Sequence, residues 1–222
     1  NANLSRAKLN GAILRRTDLK DSNLSEADLN IADLTGANLV GAKLAGANLD
    51  RIKLNQAKLN GAQLSGARMT KAKLMQVDLT GADLSGANLT GAELNEAVLE
   101  GADLSRANLT EAILINTNLK NTFLIGANLQ KANLEGANLE SADLAGTKLR
   151  FATLQNANLK KIDLRRSDLE HADFSKAKLN SANFTGAKMS ESQFAGADLT
   201  GAKMDSADTT ETQFEGAIGF KS

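Results

Sequence analysis

The side chains of this sequence that could do acid–base or metal chemistry lie around its single histidine, His171. Three carboxylates lie close to it in the chain, at Asp168, Glu170 and Asp173. A histidine beside a carboxylate can serve as a general base, or as one ligand of a metal ion. However, the sequence has no cysteine and no second histidine to complete a metal site, and carboxylates recur along the whole chain. We therefore expect His171 to be a solvated surface residue.

A glycine-rich stretch at 80–86 superficially resembles a phosphate-binding loop. Its two glycines, Gly81 and Gly86, are five residues apart, and the chain contains no G-x-x-x-x-G-K-[ST] motif. Serine and threonine are frequent elsewhere, but no base is placed to activate one of them. These patterns predict no catalytic residue, no cofactor and no metal ion, and hence a protein that is not an enzyme.

The five-residue spacing comes from a repeat that runs without interruption from Leu4 to Phe214. Leu fills 35 of its 43 central positions, called i below, and Ala fills 32 of the positions at i−2. Asn or Asp fills 24 of the positions at i−1, and 17 of the 18 glycines fall at i+2. A period of five fits neither a helix nor a continuous strand, so the chain must turn in every repeat. We expect i−2 and i to face inward, and the other positions to face outward or form turns.

The motif A-(D/N)-L-x-x, as at 27–29 and 82–84, resembles the pentapeptide-repeat family, and its Leu-centred form looks like the cyanobacterial members. The resemblance covers residues 2–217. It implies an all-β fold, a right-handed quadrilateral parallel β-helix with four repeats per 20-residue coil and about 10–11 coils. Charges that alternate at intervals of 20, as at Lys148, Asp168 and Lys188, favour this coil length. The same test does not exclude 25 residues per coil.

The unbroken register predicts a single domain. We expect it to span residues 1–217, with a tail at 218–222 in which Ile218 and Phe220 cap the end. No similar cap is visible at the N-terminus, which leaves end-to-end or C-terminal self-association open. No apolar run approaches the roughly 20 residues of a membrane-spanning helix, so we expect no membrane insertion. The lack of a signal-like segment favours the cytoplasm, whereas a removed signal would allow the periplasm or the thylakoid lumen.

The zero net charge hides a banded distribution. Residues 43–73 carry seven basic residues and one acidic residue, and residues 78–111 carry seven acidic residues and one basic residue. A second basic band covers 148–166, and 191–215 is acidic again. The overall balance argues against nucleic acid as a partner. From the bands and the outward apolar side chains we expect contacts with an unidentified protein at Lys53, Arg68, Lys73, Ile113, Ile115, Phe123, Ile125 and Phe151.

The sequence thus predicts a non-enzymatic rigid scaffold or regulatory protein-binding module that acts through its charge-banded outer faces. The family resemblance implies one alternative, a DNA-mimicking binder of type II topoisomerase (gyrase) of the quinolone-resistance type. Members of that type resemble duplex DNA in size and negative charge. The balanced charge and the basic bands of this chain argue against that alternative.

Overall fold

The computed structural model describes residues 1–219 as a rod of stacked square coils. Each outward residue at i−1 forms a parallel bridge with the residue 20 positions later, from Asn3–Asn23 to Asp198–Ile218. Four repeats therefore make one coil, which excludes 25 residues per coil. The fold is the expected right-handed quadrilateral parallel β-helix. At roughly 4.8 Å per coil, the rod is about 50 Å long.

The sides of the square are too short to form extended strands. Within residues 1–219 the structure contains no helix, and every strand segment is a single bridge residue. The N–H of Leu4 donates to the carbonyl of Asn23 at 2.7 Å, and the N–H of Asn23 donates to the carbonyl of Ala2 at 2.9 Å. The same two bonds recur from coil to coil, so the backbone of each side is paired with both neighbouring coils.

The four sides are named here by their outward residues at i−1. Face 1 carries 3, 23 and onward in steps of 20, face 2 starts at 8, face 3 at 13 and face 4 at 18. Faces 1 and 3 lie on opposite sides of the rod, as do faces 2 and 4. Side chains 20 residues apart are therefore neighbours on one face, at a spacing of roughly 4.8 Å.

The corners are β-turns whose second central residue is left-handed. In the first corner the N–H of Ala7 donates to the carbonyl of Leu4 at 3.1 Å, and Arg6 has φ 57°. Every residue at i+2 from Arg6 to Gly216 has a positive φ, including the β-branched Ile31 at 54°. Positive φ at this position alone is the signature of a type II turn and favours glycine. The sequence pattern of glycine at i+2 thus has its explanation in the backbone of the corner.

The interior is filled by the residues at i−2 and i. From Leu24 to Leu199 all central side chains are buried, and the space between the leucines of 29–59 is too narrow to hold a water molecule. Hydroxyls that replace Ala at i−2 reach a backbone carbonyl. Thr117, for example, donates to the carbonyl of Leu94 at 2.8 Å. The core therefore accepts these polar residues without leaving a buried hydroxyl unpaired.

Aromatic rings replace Leu in the last coils. Phe174 and Phe194 are stacked with their ring centroids 4.8 Å apart, and Phe184 packs edge-on against both. These three rings are fully buried. Ile218 stays in register at i−1, where it pairs with Asp198 and is 61% exposed. The cap expected at 218–222 remains a prediction, because Phe220 and the last two residues lie outside the described residues.

Candidate interaction surfaces

The most frequent outward side chains, Asn and Asp at i−1, bind the backbone of their own corner. Each of them accepts a hydrogen bond through Oδ1 from the N–H at i+1, as in Ser85 to Asp83 at 2.9 Å. This Asx turn satisfies an N–H that the ladder between coils does not use. A carboxylate at i−1 therefore has a structural role before any other.

Threonine at i+1 strengthens this turn through its hydroxyl. At Asp33 the Thr35 hydroxyl donates to Oδ1 at 2.7 Å, and Arg15 donates to Oδ2 at 2.7 Å. The pKa of Asp33 is lowered to about 2, and the hydrogen bond from the Thr35 hydroxyl is the largest influence. Burial opposes this shift, and the Thr35 N–H and Arg15 contribute to it. Asp33 is thus a carboxylate held in its charged form, which suits a turn cap and not a general acid.

His171 lies at a corner and is not fully solvated. Its ring stacks on Phe151, with centroids 4.6 Å apart and an interplanar angle of 7°. Its Nδ1 lies 3.3 Å from a carboxylate oxygen of Glu191. The guanidinium of Arg150 lies over the Phe151 ring, 5.8 Å from its centroid, and forms an ion pair with Glu170. His171 and Phe151 are 20 residues apart at i+2, so the coil length brings them together, and His171 covers part of a residue expected to contact a partner.

Face 3 carries four of the residues expected to contact a partner. Lys53 and Lys73 are bridge partners on this face and both are exposed. Further along the same face, Ile113 is 36% exposed and Ile115 is partly buried beside it. Arg68 lies on face 2 and donates a hydrogen bond to Asp50 at 2.5 Å. The structure thus groups Lys53 with Lys73 and Ile113 with Ile115, and separates Arg68 from both pairs.

The remaining expected contacts, Phe123 and Ile125, lie on face 1, across the rod from Ile113. Phe123 is 50% exposed and Ile125 is 45% exposed. The bridge partners of Phe123 are Asp103 on one side and Asp143 on the other. These two aspartates were not among the predicted contacts, because Asp at i−1 belongs to the repeat. Reading the sequence at intervals of 20 would have revealed them as neighbours of Phe123.

Two shallow clefts follow the corner between faces 1 and 2. One is lined by Ile125 and Arg106 together with small residues, and its volume is about 470 Å³. The other, also about 470 Å³, is lined by Arg165, Arg166, Thr185 and the small residues of 145–146. Both are open grooves on the outside of the rod, where small residues leave the corner uncovered.

Two structural features bear on metal and membrane binding. In residues 1–219 no three His, Cys, Asp or Glu side chains converge in a way that could hold a metal ion. The same part of the chain contains no helix of the length and apolarity required to span a membrane.

The fold is shared with solved structures of repeat proteins. HetL from the cyanobacterium Nostoc sp., a pentapeptide-repeat protein involved in regulation of heterocyst differentiation, is 31% identical to this chain. That match covers 97% of this chain and 94% of HetL, with a TM-score of 0.53. A comparison with curated protein sequences finds no match.

Two further structures are similar to parts of the chain. Rfr23, a pentapeptide-repeat protein from the cyanobacterium Cyanothece, is 32% identical over 39% of this chain and 58% of its own, with a TM-score of 0.39. The plasmid-mediated fluoroquinolone-resistance protein QnrB1 is 21% identical over 77% of this chain and 85% of its own, with a TM-score of 0.41. The family model for pentapeptide repeats matches eight copies in segments from 1–36 to 177–216. From this near-complete match and the 20-residue coil, the chain belongs to the pentapeptide-repeat family.

Proposed function

We propose that this protein acts without catalysis, as a rigid scaffold or regulatory module that binds another protein through its charge-banded outer faces. The observation that carries the proposal is that each repeat has separate positions for the core and for the surface. The side chains at positions i−2 and i are buried in the core, so the residue type can change only at the outward positions. A binding surface can be written on those positions without disturbing the fold.

The outer faces support binding because their charges are not fully paired within the protein. Where charges alternate along a face, as at Lys148 and Asp168, neighbouring coils stabilise each other. Lys53 and Lys73 instead stack as like charges, and no ion pair within residues 1–219 neutralises either of them. Unpaired charge of one sign attracts and orients a partner of the opposite sign.

Rigidity supports a scaffold role. The bridges run without a break from the first coil to Ile218, so the distance between two outward sites is fixed by the number of coils between them. The similarity to HetL, a protein involved in regulation of heterocyst differentiation, adds support for a regulatory role over an enzymatic one.

The test is affinity purification of the tagged protein at its native level from the organism that produces it, after chemical cross-linking. A matched pair of variants gives the test its resolution: Lys53→Glu with Lys73→Glu on face 3, and Asp28→Asn on face 2 as a control. We expect a specific protein to co-purify with the native chain and with the control, and the face 3 double variant to lose it.

Two results would count against this proposal. One is turnover of a metabolite by the purified protein with no co-purifying partner. The other is inhibition of gyrase supercoiling at micromolar protein, which would favour the topoisomerase-binding alternative.

A further inference from the structure

We propose that the surface of face 1 around Phe123 binds a basic segment of a partner protein, in which an apolar residue lies between two lysines or arginines. This inference rests on the proposed binding role. It adds the location of one site and the chemistry of the segment that fits it.

The centre of the site is an exposed apolar pair. Phe123 projects from the face and is 50% exposed, and Ile125 follows it at the corner and is 45% exposed. The corner cleft that Ile125 also lines is bordered by Arg106 and is not part of this site. A neighbouring aromatic and aliphatic side chain, both half in water, offer a partner an apolar anchor point.

The anchor point is framed by carboxylates. Asp103 and Asp143 are the two bridge partners of Phe123, so they lie about 10 Å apart with the ring between them. Each uses Oδ1 to accept the N–H of its own turn, from Ser105 at 2.8 Å and from Ala145 at 3.0 Å. Within the described part of the chain, Oδ2 of both residues makes no hydrogen bond, so it is available to a cation on the partner.

The aspartates of face 1 also repel one another. Asp83 stacks on Asp103, and Asp143 stacks on Asp163, and like charges directly opposite each other destabilise a ladder. Arg165 pairs with Asp163 at 2.6 Å and attracts Asp143 from a longer distance. Among residues 1–219, Asp83 and Asp103 have no ion pair at all.

A cationic partner is what removes this repulsion. The charges of the site therefore favour lysine or arginine beside the apolar anchor, and they disfavour nucleic acid and anionic membranes. An extended segment places alternate side chains on one side about 6.6 Å apart. Two flexible basic side chains that flank an apolar residue at that spacing can reach Asp103 and Asp143 while the apolar residue packs on Phe123.

The probe is a fluorescein-labelled peptide, KSKSLSKSK, whose binding to the full chain is measured by fluorescence anisotropy at low and high salt. Two peptides serve as controls: KSKSSSKSK, which lacks the apolar residue, and the acidic ESESLSESE. We expect KSKSLSKSK to bind in a salt-dependent way and the other two to bind at least about tenfold more weakly.

Matched variants locate the binding. Asp103→Asn with Asp143→Asn keeps the oxygen that accepts the turn N–H, and Phe123→Ser removes the ring. Each of these variants should raise the dissociation constant for KSKSLSKSK by about tenfold or more. The controls, Asp78→Asn with Asp198→Asn on face 4 and Ile113→Ser on face 3, should leave binding unchanged.

A stability measurement separates loss of binding from loss of fold. Because the aspartates repel their neighbours, the double Asn variant should unfold at the same temperature as the native chain or higher, even though it binds the peptide less. The inference is overturned if KSKSLSKSK does not bind, or if the face 4 variants weaken it as much as the face 1 variants. Tight binding of ESESLSESE that is lost on Lys53→Glu with Lys73→Glu would also overturn it, and would leave the general binding role intact.

Discussion

At the residue scale, the carboxylates that could be taken for catalytic groups stabilise the corners of the coils. Asp33 is the clearest case, since its carboxylate accepts bonds from both the hydroxyl and the N–H of Thr35. The sequence placed Asp and Asn at i−1 but could not show what they bind. That information depends on the shape of the turn, which brings the N–H at i+1 back to the side chain at i−1.

Thr35→Val should make the free energy of unfolding less sensitive to pH between about pH 4 and pH 2. The folded-state pKa of Asp33 is about 2, below the ordinary value of about 3.9, so its contribution is fully present above about pH 4 and is lost as the pH falls toward 2. Removal of the hydroxyl raises this pKa toward the ordinary value. We expect the variant to be less stable by about 1–2 kcal/mol at pH 7, with a difference that shrinks between pH 4 and pH 2 in urea unfolding experiments.

Thr185→Val is the matched control for this prediction. Its hydroxyl donates to Oδ1 of Asn183 at 2.7 Å, the same contact with an acceptor that does not titrate. The control should lose stability by a similar amount at every pH in this range. A pH-independent difference for Thr35→Val would contradict the role assigned to Asp33.

At the scale of the element, the repeating unit is a corner that forces one residue into the left-handed region. Glycine accepts this conformation readily, and an L-residue with a branched Cβ does so at a cost of about 1–2 kcal/mol. Ile31 adopts it at φ 54° and keeps half of its surface exposed. The ladder between coils therefore holds corners whose own residues would prefer another conformation.

Ile31→Asn should stabilise the protein. Asn tolerates the left-handed region without the backbone entropy of glycine, so we expect a gain of about 0.5–1 kcal/mol in the free energy of unfolding. Val40→Asn, at the first central residue of a corner where φ is not positive, is the control and should change stability by less than about 0.5 kcal/mol. Equal effects of the two substitutions would show that the corner carries no strain at Ile31.

The elements were more predictable than the surface, for a physical reason. Leu4 and its equivalents repeat because every coil must fill the same interior, and that need is visible in one sequence. Asp103 and Asp143 become neighbours of Phe123, and His171 of Phe151, only once the coil length is known. The sequence favoured 20 residues per coil but did not exclude 25, and at 25 each of these contacts would fall elsewhere.

At the scale of the whole molecule, stability is a property of neighbouring coils. A coil in the middle of the rod is covered on both sides, whereas the first coil is covered on one, and Leu4 to Leu19 are only partly buried. Local opening should therefore begin at the ends of the described rod, and the central coils should determine its overall resistance to unfolding.

Leu109→Ala and Leu9→Ala make the comparison with the same substitution on the same face. Leu109 is fully buried in the middle of the rod and Leu9 is partly exposed in the first coil. We expect the central change to cost about 2–5 kcal/mol and the terminal change clearly less, because the cavity at the end can fill with water. Urea unfolding with hydrogen exchange checks this, and equal costs would contradict a stability built from neighbouring coils.

Because of the 20-residue register, the number of each outward residue gives its face and its coil. Subtracting 20 moves one coil down the same face, and subtracting five moves a quarter turn around the axis. Insertion of one repeat would therefore leave the interior intact and rotate everything after it by a quarter turn. An insertion between Asp103 and Phe123 would place the ring on a different face from that aspartate. Addition or deletion of repeats during evolution can therefore change which outward residues are neighbours, with no substitution at any contact residue.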